Sequence, residues 1–465
     1  MTKNTSEIAD FITFKNSLGI GARGTLLKIS QNQIVFETYN PYSIVQLSEV
    51  LNGVTICRFN KTAYVGKAVV SNLINTGLLL IVSATLVDPW LETLKSSQLV
   101  NVEDEAKKFI SEWDHINNDV LPNYQLIVNK IRSYLSDMNR WVKQFDVTSN
   151  KALEVDNGDN LIDKISRPLL SNLAELFFRF EDEAAHIEES QLGICKRFAQ
   201  QELHPLIMQS PFAHRTYTKP LGYAGDYEMV NMMLRNRYEG ETTYAKLFNS
   251  FLLGPGPAEA HRNRIDILLE KIKHIAEKAA AQGKRAQIFN FACGPAAELQ
   301  RFIEIEEISE NCDFVLLDFS KETLDYTLDK LEEIKQKTGR SNVGIKIIHK
   351  SVNDVLRSAV RDKETKDGKK FDLVYCAGLF DYLSDKICAK LLSLFFSQLD
   401  DDGMLIATNV HSDNPAQALM EHLLEWYLIY RDEQDFSELL PVEGKKIYVD
   451  KTGFNIFLEV TKKLN

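Results

Sequence analysis

Between Gly21 and Val87, apolar residues recur at nearly every second position in short runs: "GTLLKIS", "QIVFETY", "TICRFN", "TAYVGKAVVSNLI" and "GLLLIVSATL". A period of two is what a strand needs when one face meets a core. Turn residues such as Asn40-Pro41 and Asn52-Gly53 separate the runs. Five or six closely spaced strands predict a small antiparallel barrel. From about Leu91 to Met208 the apolar spacing changes to three and four, as in "EDEAKKFISEWDHINNDVLPNYQLIVNKIRSYLSDMNRWVKQF", with Pro122 marking a break or kink. Phe177, Phe178 and Phe180 are expected to form an aromatic core cluster there. "GPGPAE", Gly254 to Glu259, is a turn-rich hinge before the helical "AHRNRIDILLEKIKHIAEKAA".

From Gln287 onward strands and helices alternate. The strands read "QIFNFA", "DFVLLDF", "VGIKIIH", "FDLVYCAG" and "MLIATNV", each followed by an amphipathic stretch. This is the pattern of βαβ units on a parallel sheet. The charged "RDKETKDGKK" before Phe371 reads as a solvated connection. At the end, "KKIYVD" and "FNIFLEVTK" flank Lys451-Thr452-Gly453 and predict an antiparallel pair at the sheet edge. The expected fold is therefore multidomain α/β: a Rossmann-like sheet with a C-terminal antiparallel pair, preceded by a helical region and a small N-terminal β-barrel. The expected boundaries are residues 1–90, 91–253 and 254–465.

Composition narrows the function. An apolar content of 44% and an aromatic content of 10% over 465 residues can fill several cores. The net charge of -11 argues against a general nucleic-acid binder, which needs a concentrated basic face. The six cysteines are scattered, with no C-x-x-C pair, so buried thiols are expected in place of a disulfide framework or structural zinc site. "MTKNTSEIADFITF" has no uninterrupted apolar stretch of the secretory kind, and "TGLLLIVSATLV" is too short to span a bilayer. A cytoplasmic protein without a membrane span is expected.

The chemistry centres on "IFNFACGPAAE", Ile288 to Glu298. A dinucleotide's pyrophosphate calls for G-x-G-x-x-G, so that backbone amides can close on the phosphates. Only Gly294 is present, among the small Ala292, Ala296 and Ala297. Asp318 ends the next strand 24 positions later, where a Rossmann-type carboxylate accepts from ribose hydroxyls. "HKSVNDV" offers Val352 to an adenine face and Asn353 or Asp354 to its amino group. "DLVYCAGLFDYL" places Cys376 to Asp381 at the carboxyl end of the fourth strand.

These pieces resemble class I S-adenosylmethionine-dependent methyltransferases, whose first motif is usually written D/E-x-G-C-G-x-G and whose sheet ends in an antiparallel pair. Here Asn290 stands where an acid is common and Ala292 replaces the first glycine; Glu298 is an alternative source of the amino-group contact. The resemblance implies S-adenosyl-L-methionine as cofactor, held by Asn290, Ala292, Cys293, Gly294, Asp318, Phe319, Asn353, Asp354 and Ala377. The barrel segment "RGTLLKISQNQIVFE" resembles PilZ domains, with Lys28 and Gln33 in place of the motif's Asp and Gly around Ser30. Arg23 stands alone where that family carries an arginine-rich entry, so cyclic di-GMP is not expected as a ligand, and a docking or structural barrel is.

"SPFAHRTYTKPLGYAGDYEMVNMML", Ser210 to Leu234, gathers polar and aromatic side chains around Gly222 and Gly225. It reads either as a ligand-facing segment or as a capped turn with Asp226 as the N-cap. With "RNRYEGETTYAKLFNSFLLG" and "AHRNRIDIL" it resembles bacterial proteins that make 3-hydroxy fatty acid methyl esters, 3-hydroxypalmitic acid methyl ester among them, over Leu203 to Lys462. It is also similar to polyketide methyltransferase domains that use a metal. The resemblance implies carboxyl O-methylation of a small-molecule or fatty-acyl acceptor, with metal-assisted carbon methylation of an acyl thioester, or a non-catalytic cofactor-fold protein, as the alternatives. Candidate catalytic residues are His214, Tyr223, Asp226, Tyr382 and His411; Asp381 neighbours them, and Arg215 or Lys219 would pair with an acceptor carboxylate. The "HRNR" run, His261 to Arg264, either lines the pocket or caps a helix. No local spacing supports a metal site, although the metal-using alternative would take His411 with Asp226 or His214. The long amphipathic helices fit a homodimer.

Overall fold

The computed structural model describes residues 10–29, 32–39, 45–58, 61–75, 79–88, 119–149, 158–254, 256–361 and 370–463, with isolated positions between 103 and 111. Ser30, Asn40-Pro41, Pro255, most of the expected helical stretch before residue 119 and the charged loop 362–369 lie outside them. The chain divides into two compact units. The first takes in Met1–Ala224, Tyr238–Leu252 and Pro415–Tyr427; the second takes in Gly225–Arg237, Leu253–Asn414 and Leu428–Asn465.

In the first unit, period-two burial folds into six strands: β1 Phe11–Lys15, β2 Gly21–Ile29, β3 Gln33–Tyr39, β4 Val50–Arg58, β5 Lys61–Asn75 and β6 Leu79–Leu86. They close a barrel in the order β1-β2-β3-β6-β5-β4, with β1 pairing antiparallel to both β2 and β4. Closure leaves no open sheet edge. Ile34, Phe36, Val82 and Ala84 point inward. Gly24 is required where β2 crosses β3, because a Cβ there would stand 2.6 Å from the Glu37 carbonyl oxygen. The lone Arg23 lies over the Phe11 ring at 4.0 Å.

Helices α1 Pro122–Ser149, α2 Gly158–Ala184, α3 Glu189–Ile207 and α4 Pro211–Thr218 follow; α5 Tyr227–Leu234 belongs to the second unit, and α6 Thr243–Leu252 returns to the first. Pro122 opens α1 at a position where a missing N–H costs nothing. Tyr124, Ile131, Leu135, Phe177 and Phe180 share a core with Ala418 and Leu423 from the distant third segment. The expected aromatic cluster is split: Phe178 is 71% exposed. At about 100° per residue, its neighbours' inward faces turn it outward. No helix of the described residues is long and apolar enough to cross a membrane.

The first unit also buries an ionic network. Glu425 accepts from Lys196 at 3.4 Å, Gln200 at 2.8 Å and the Tyr427 hydroxyl at 2.5 Å; Lys196 also donates to that hydroxyl. Lys219, left-handed at φ 45 after α4, donates to the Leu424 carbonyl. Burial first, and the charge of Lys196 as well, push the Lys219 ammonium down to about 7, against the opposing pull of Glu425. Below that pH the folded and unfolded chains both carry the proton, and burying the charge is costly. Between pH 7 and lysine's usual 10.5 only the unfolded chain remains charged, so stability should climb with pH. Lys219→Met should flatten that climb and stabilise the protein by ~3 kcal/mol near pH 6, read as thermal midpoints from pH 6 to pH 10.

The second unit is an α/β/α layer. Helix α7 Pro257–Ala281 precedes β7 Ala286–Phe291, α8 Ala297–Ile305, β8 Cys312–Asp318, α9 Lys321–Thr338, β9 Gly344–His349, α10 Val352–Arg361, β10 Phe371–Cys376, α11 Asp385–Gln398, β11 Leu399–Val410, α12 Glu433–Glu438, β12 Lys446–Val449 and β13 Asn455–Thr461. The sheet order is β12-β13-β11-β10-β7-β8-β9. β11, β10, β7, β8 and β9 pair parallel, and β13 runs antiparallel between β11 and β12, so the expected terminal pair is present with its last strand inserted. Ile288, Phe314 and Leu373 pack beneath α7, α8 and α9, whereas Phe289, Val315 and Val374 pack against α11 and α12. Burial on both faces explains why these strands read as continuous apolar runs.

Candidate functional site

β7 connects outward to β8 on one side, and β10 lies on its other side. At such a reversal the loops leaving adjacent strands part and open a crevice at their carboxyl ends. The residues after β7, β8 and β10 therefore face one place, and they include most of the expected cofactor residues.

The turn after β7 is strained and compact. Ala292 has φ 57, Gly294 has φ 51 and Ala296 has φ 48. The left-handed region costs an L-residue roughly 1–2 kcal/mol, and such outliers persist where function or surrounding structure holds them. Its N–H groups are already paired: Cys293 donates to the Leu317 carbonyl of β8 at 3.0 Å, Gly294 to Asp318 Oδ2 at 3.1 Å and Ala296 to the Cys293 carbonyl at 2.9 Å, while Pro295 has none. A Cβ built on Gly294 would meet nothing within 4 Å. The space beside it is open for a ligand to approach the backbone.

Asp318, 5% exposed, ends β8 and accepts from Gly294 and, at 2.9 Å, from the Ser320 N–H. A carboxylate has about four acceptor sites, so capacity for a diol remains. Burial raises its pKa above the usual 3.8, and the two N–H donors pull the other way. Phe319 follows, half-buried, its carbonyl accepting from His349 Nε2 at 2.8 Å. Glu298, in the first turn of α8, is equally enclosed; Asn290 Nδ2 donates to it at 3.0 Å and the Tyr375 hydroxyl at 2.8 Å. Burial again raises its pKa. Asn290 thus occupies the acidic position of the expected motif as a donor to the carboxylate eight residues later. An acid there would face Glu298.

After β10, Ala377 is half-buried, Gly378 has φ 93, and Phe380–Tyr382 forms a 3-10 turn. Asp381 is buried and accepts from the Val410 N–H at 2.6 Å, so it ties this loop to β11. Gly225 lies against the loop: a Cβ on it would stand 2.8 Å from the Tyr382 hydroxyl. Two residues on, the Tyr227 hydroxyl donates to Glu322 at the start of α9, and its ring packs 4.6 Å from Tyr326. Gly225 to Tyr227 therefore runs from the loop after β10 to the helix after β8, across the crevice. Asp226 itself is 2% exposed and caps α5 through the Met229 N–H at 2.9 Å. Its side chain thus makes the cap that the capped-turn reading expects.

Asp354 is exposed and turned back on its own helix, accepting from the Ser351 hydroxyl at 2.7 Å; that bond holds its carboxyl below the usual range. Asn353 is half-buried beside it. His411, at the end of β11, accepts from the Asp413 N–H through Nδ1 and so carries its proton on Nε2, which donates to Glu433 at 3.2 Å. His214 is exposed on α4 and Tyr223 half-buried beyond it, both in the first unit. Among the described residues no group of three or more His, Cys, Asp or Glu side chains gathers as a metal site.

Two arginines complete the picture. Arg431 is 2% exposed and bonds the carbonyls of Phe380 at 2.9 Å and Leu383 at 2.6 Å, Asn409 at 2.6 Å and Asp385 at 2.8 Å. It locks the loop after β10. Arg264, on α7, lies beneath Gly378. Arg431 does not stand out in sequence, being one of a charged run after β11, whereas Arg264 ends the "HRNR" run for which the sequence leaves pocket lining and helix capping both open.

No family model matches the chain, and no curated protein matches it. Among solved structures it is similar to magnesium protoporphyrin IX methyltransferase from Synechocystis with bound SAH, at 12% identity over 44% of this chain and 84% of that one, TM-score 0.32. It is similar to the N-methyltransferase NodS from Bradyrhizobium japonicum in complex with S-adenosyl-l-homocysteine, at 12% identity over 51% and 97%, TM-score 0.30. A possible exported protein from Bordetella parapertussis matches at 15% identity over 54% and 86%, TM-score 0.40. Likeness at this level decides no chemistry; the residues must carry it.

Proposed function

We propose that the chain is an S-adenosyl-L-methionine-dependent methyltransferase acting on a small-molecule or fatty-acyl carboxylate. The observation that carries this reading is that every N–H between Cys293 and Ala296 is already paired, two with the end of β8 and one within the turn. A pyrophosphate needs those donors free, and Glu298 in the first turn of α8 would repel it. Asp318 and Glu298 together favour a ligand with a ribose diol and net positive charge. Gly294 would admit the ligand backbone-close, Asp318 would accept from the ribose, and Glu298 with Asn290 would meet the ammonium.

When bound, the cofactor would supply an electrophilic methyl carbon on a sulfonium; an ionised carboxylate oxygen would bond to that carbon as the carbon–sulfur bond breaks and S-adenosylhomocysteine leaves, with no proton transfer. The protein's task is then positioning and exclusion of water, which Tyr382 and the Gly225–Tyr227 crossing suit. Residues 254–465 would form the methyltransferase domain, 91–253 a helical connector and lid, and 1–90 a PilZ-like docking barrel in a cytoplasmic homodimer.

Calorimetry should find micromolar binding of S-adenosylhomocysteine and none of NAD; mass spectrometry should find a methyl ester after incubation with S-adenosylmethionine and 3-hydroxypalmitate. A purified chain that retained a nicotinamide or flavin nucleotide would overturn the reading. Affinity for S-adenosylmethionine should also fall in acid. Asp318 and Glu298 titrate above their usual values, so they neutralise early as pH drops, and the attraction for a cation is present above that range and lost through it. A pH series of dissociation constants from 7.5 downward checks the sign (about 10-fold per charged bond lost).

A further inference from the structure

Arg264 is 7% exposed, yet among the described residues its guanidinium makes no hydrogen bond and no ion pair. Arginine is almost never buried unpaired. A Cβ on Gly378 would stand 3.1 and 3.2 Å from its two terminal nitrogens, so the fork lies directly under the loop that follows β10, at the crevice. Asp381 and Glu298 are the opposite charges that act on it most strongly, and both already accept elsewhere: Asp381 from Val410, Glu298 from Asn290 and Tyr375. A planar fork with nothing to hold matches a bidentate oxyanion, a carboxylate or a phosphate, and S-adenosylmethionine and a carboxylic acid acceptor bring only the first.

We infer that Arg264 is the carboxylate receptor of this crevice. This rests on the methyltransferase reading, under which two ligands bring a carboxylate: the amino-acid end of the cofactor, and the acid that accepts the methyl group. The first would place Arg264 and Glu298 on opposite charges of one zwitterion. The second would have Arg264 hold one acceptor oxygen and leave the other free to attack.

The test compares ligand pairs differing only in that charge. S-adenosylhomocysteine is titrated against its decarboxylated analogue, and 3-hydroxypalmitate against its methyl ester with S-adenosylhomocysteine present, on the wild type and on Arg264→Gln. In one pair the wild type should prefer the carboxylate about 10- to 100-fold, and Arg264→Gln should erase the preference while leaving the uncharged member within threefold. The affected pair names the source. The inference is overturned if the wild type shows no preference in either pair, a result that needs no variant. It is equally overturned if Arg264→Gln leaves the preference intact or weakens both members alike. If S-adenosylhomocysteine does not bind at all, the methyltransferase reading fails first; if it binds without preference, only the role of Arg264 fails.

Discussion

Gly294→Asp should lower affinity for S-adenosylhomocysteine at least 100-fold while leaving the protein folded. At φ 51 an L-residue pays roughly 1–2 kcal/mol, a minor loss for a sheet buried on both faces. The side chain enters space that is empty of protein atoms, so little packing is disturbed. That space is where a ligand must approach, and the new carboxylate would stand beside Asp318, which already accepts from the same residue. Calorimetry reads the affinity and thermal unfolding the fold. Unchanged affinity would show that the ligand lies elsewhere; Gly294→Ala should give a smaller loss in the same direction.

Arg431→Leu should produce the largest loss of stability, about 3–5 kcal/mol, because three buried acceptors lose their donor at roughly 1–3 kcal/mol each. The guanidinium satisfies the Phe380 and Leu383 carbonyls and the Asn409 side chain. Leucine fills the volume and leaves all three buried and unpaired. Its ion partner Asp385 is 75% exposed, so that bond contributes less. Arg431→Lys should recover little, because one ammonium cannot reach acceptors on both sides of the loop. Urea unfolding measures the stability. Hydrogen exchange at Tyr382 and Leu383, whose N–H groups close the turn, should quicken selectively.

The strands and helices could be read from the chain because their cause is local: one-sided burial imposes period two, two-sided burial a continuous run, and a half-buried helix a period near 3.6. The turn at Gly294, with Asp318 beyond it, was legible for a similar reason, since backbone conformation and strand ends leave a fixed residue spacing. The rest depends on what comes together in space. Arg264 and Arg262 sit two residues apart, yet Arg262 bonds the carbonyls of Met233, Leu253 and Gly254 while Arg264 turns inward. No spacing rule separates them. Asp226 and Asp354 look like ligand residues by position, but each serves the N-terminus of its own helix, a use that acids share with binding. Arg431 acts on a loop fifty residues earlier in the chain, and nothing near it announces that.

The chain passes between the two bodies at residues 224, 237, 252, 414 and 427, and Ala418 and Leu423, from the loop beyond β11, belong to the helical core. A gene cut near residue 253 would therefore strand part of one hydrophobic interior on the other fragment. Such an arrangement cannot be gained or lost by end-to-end fusion of ready-made cassettes. Helical bundle and α/β sheet must be inherited as one piece, and recombination that exchanges only the front half should yield chains that aggregate.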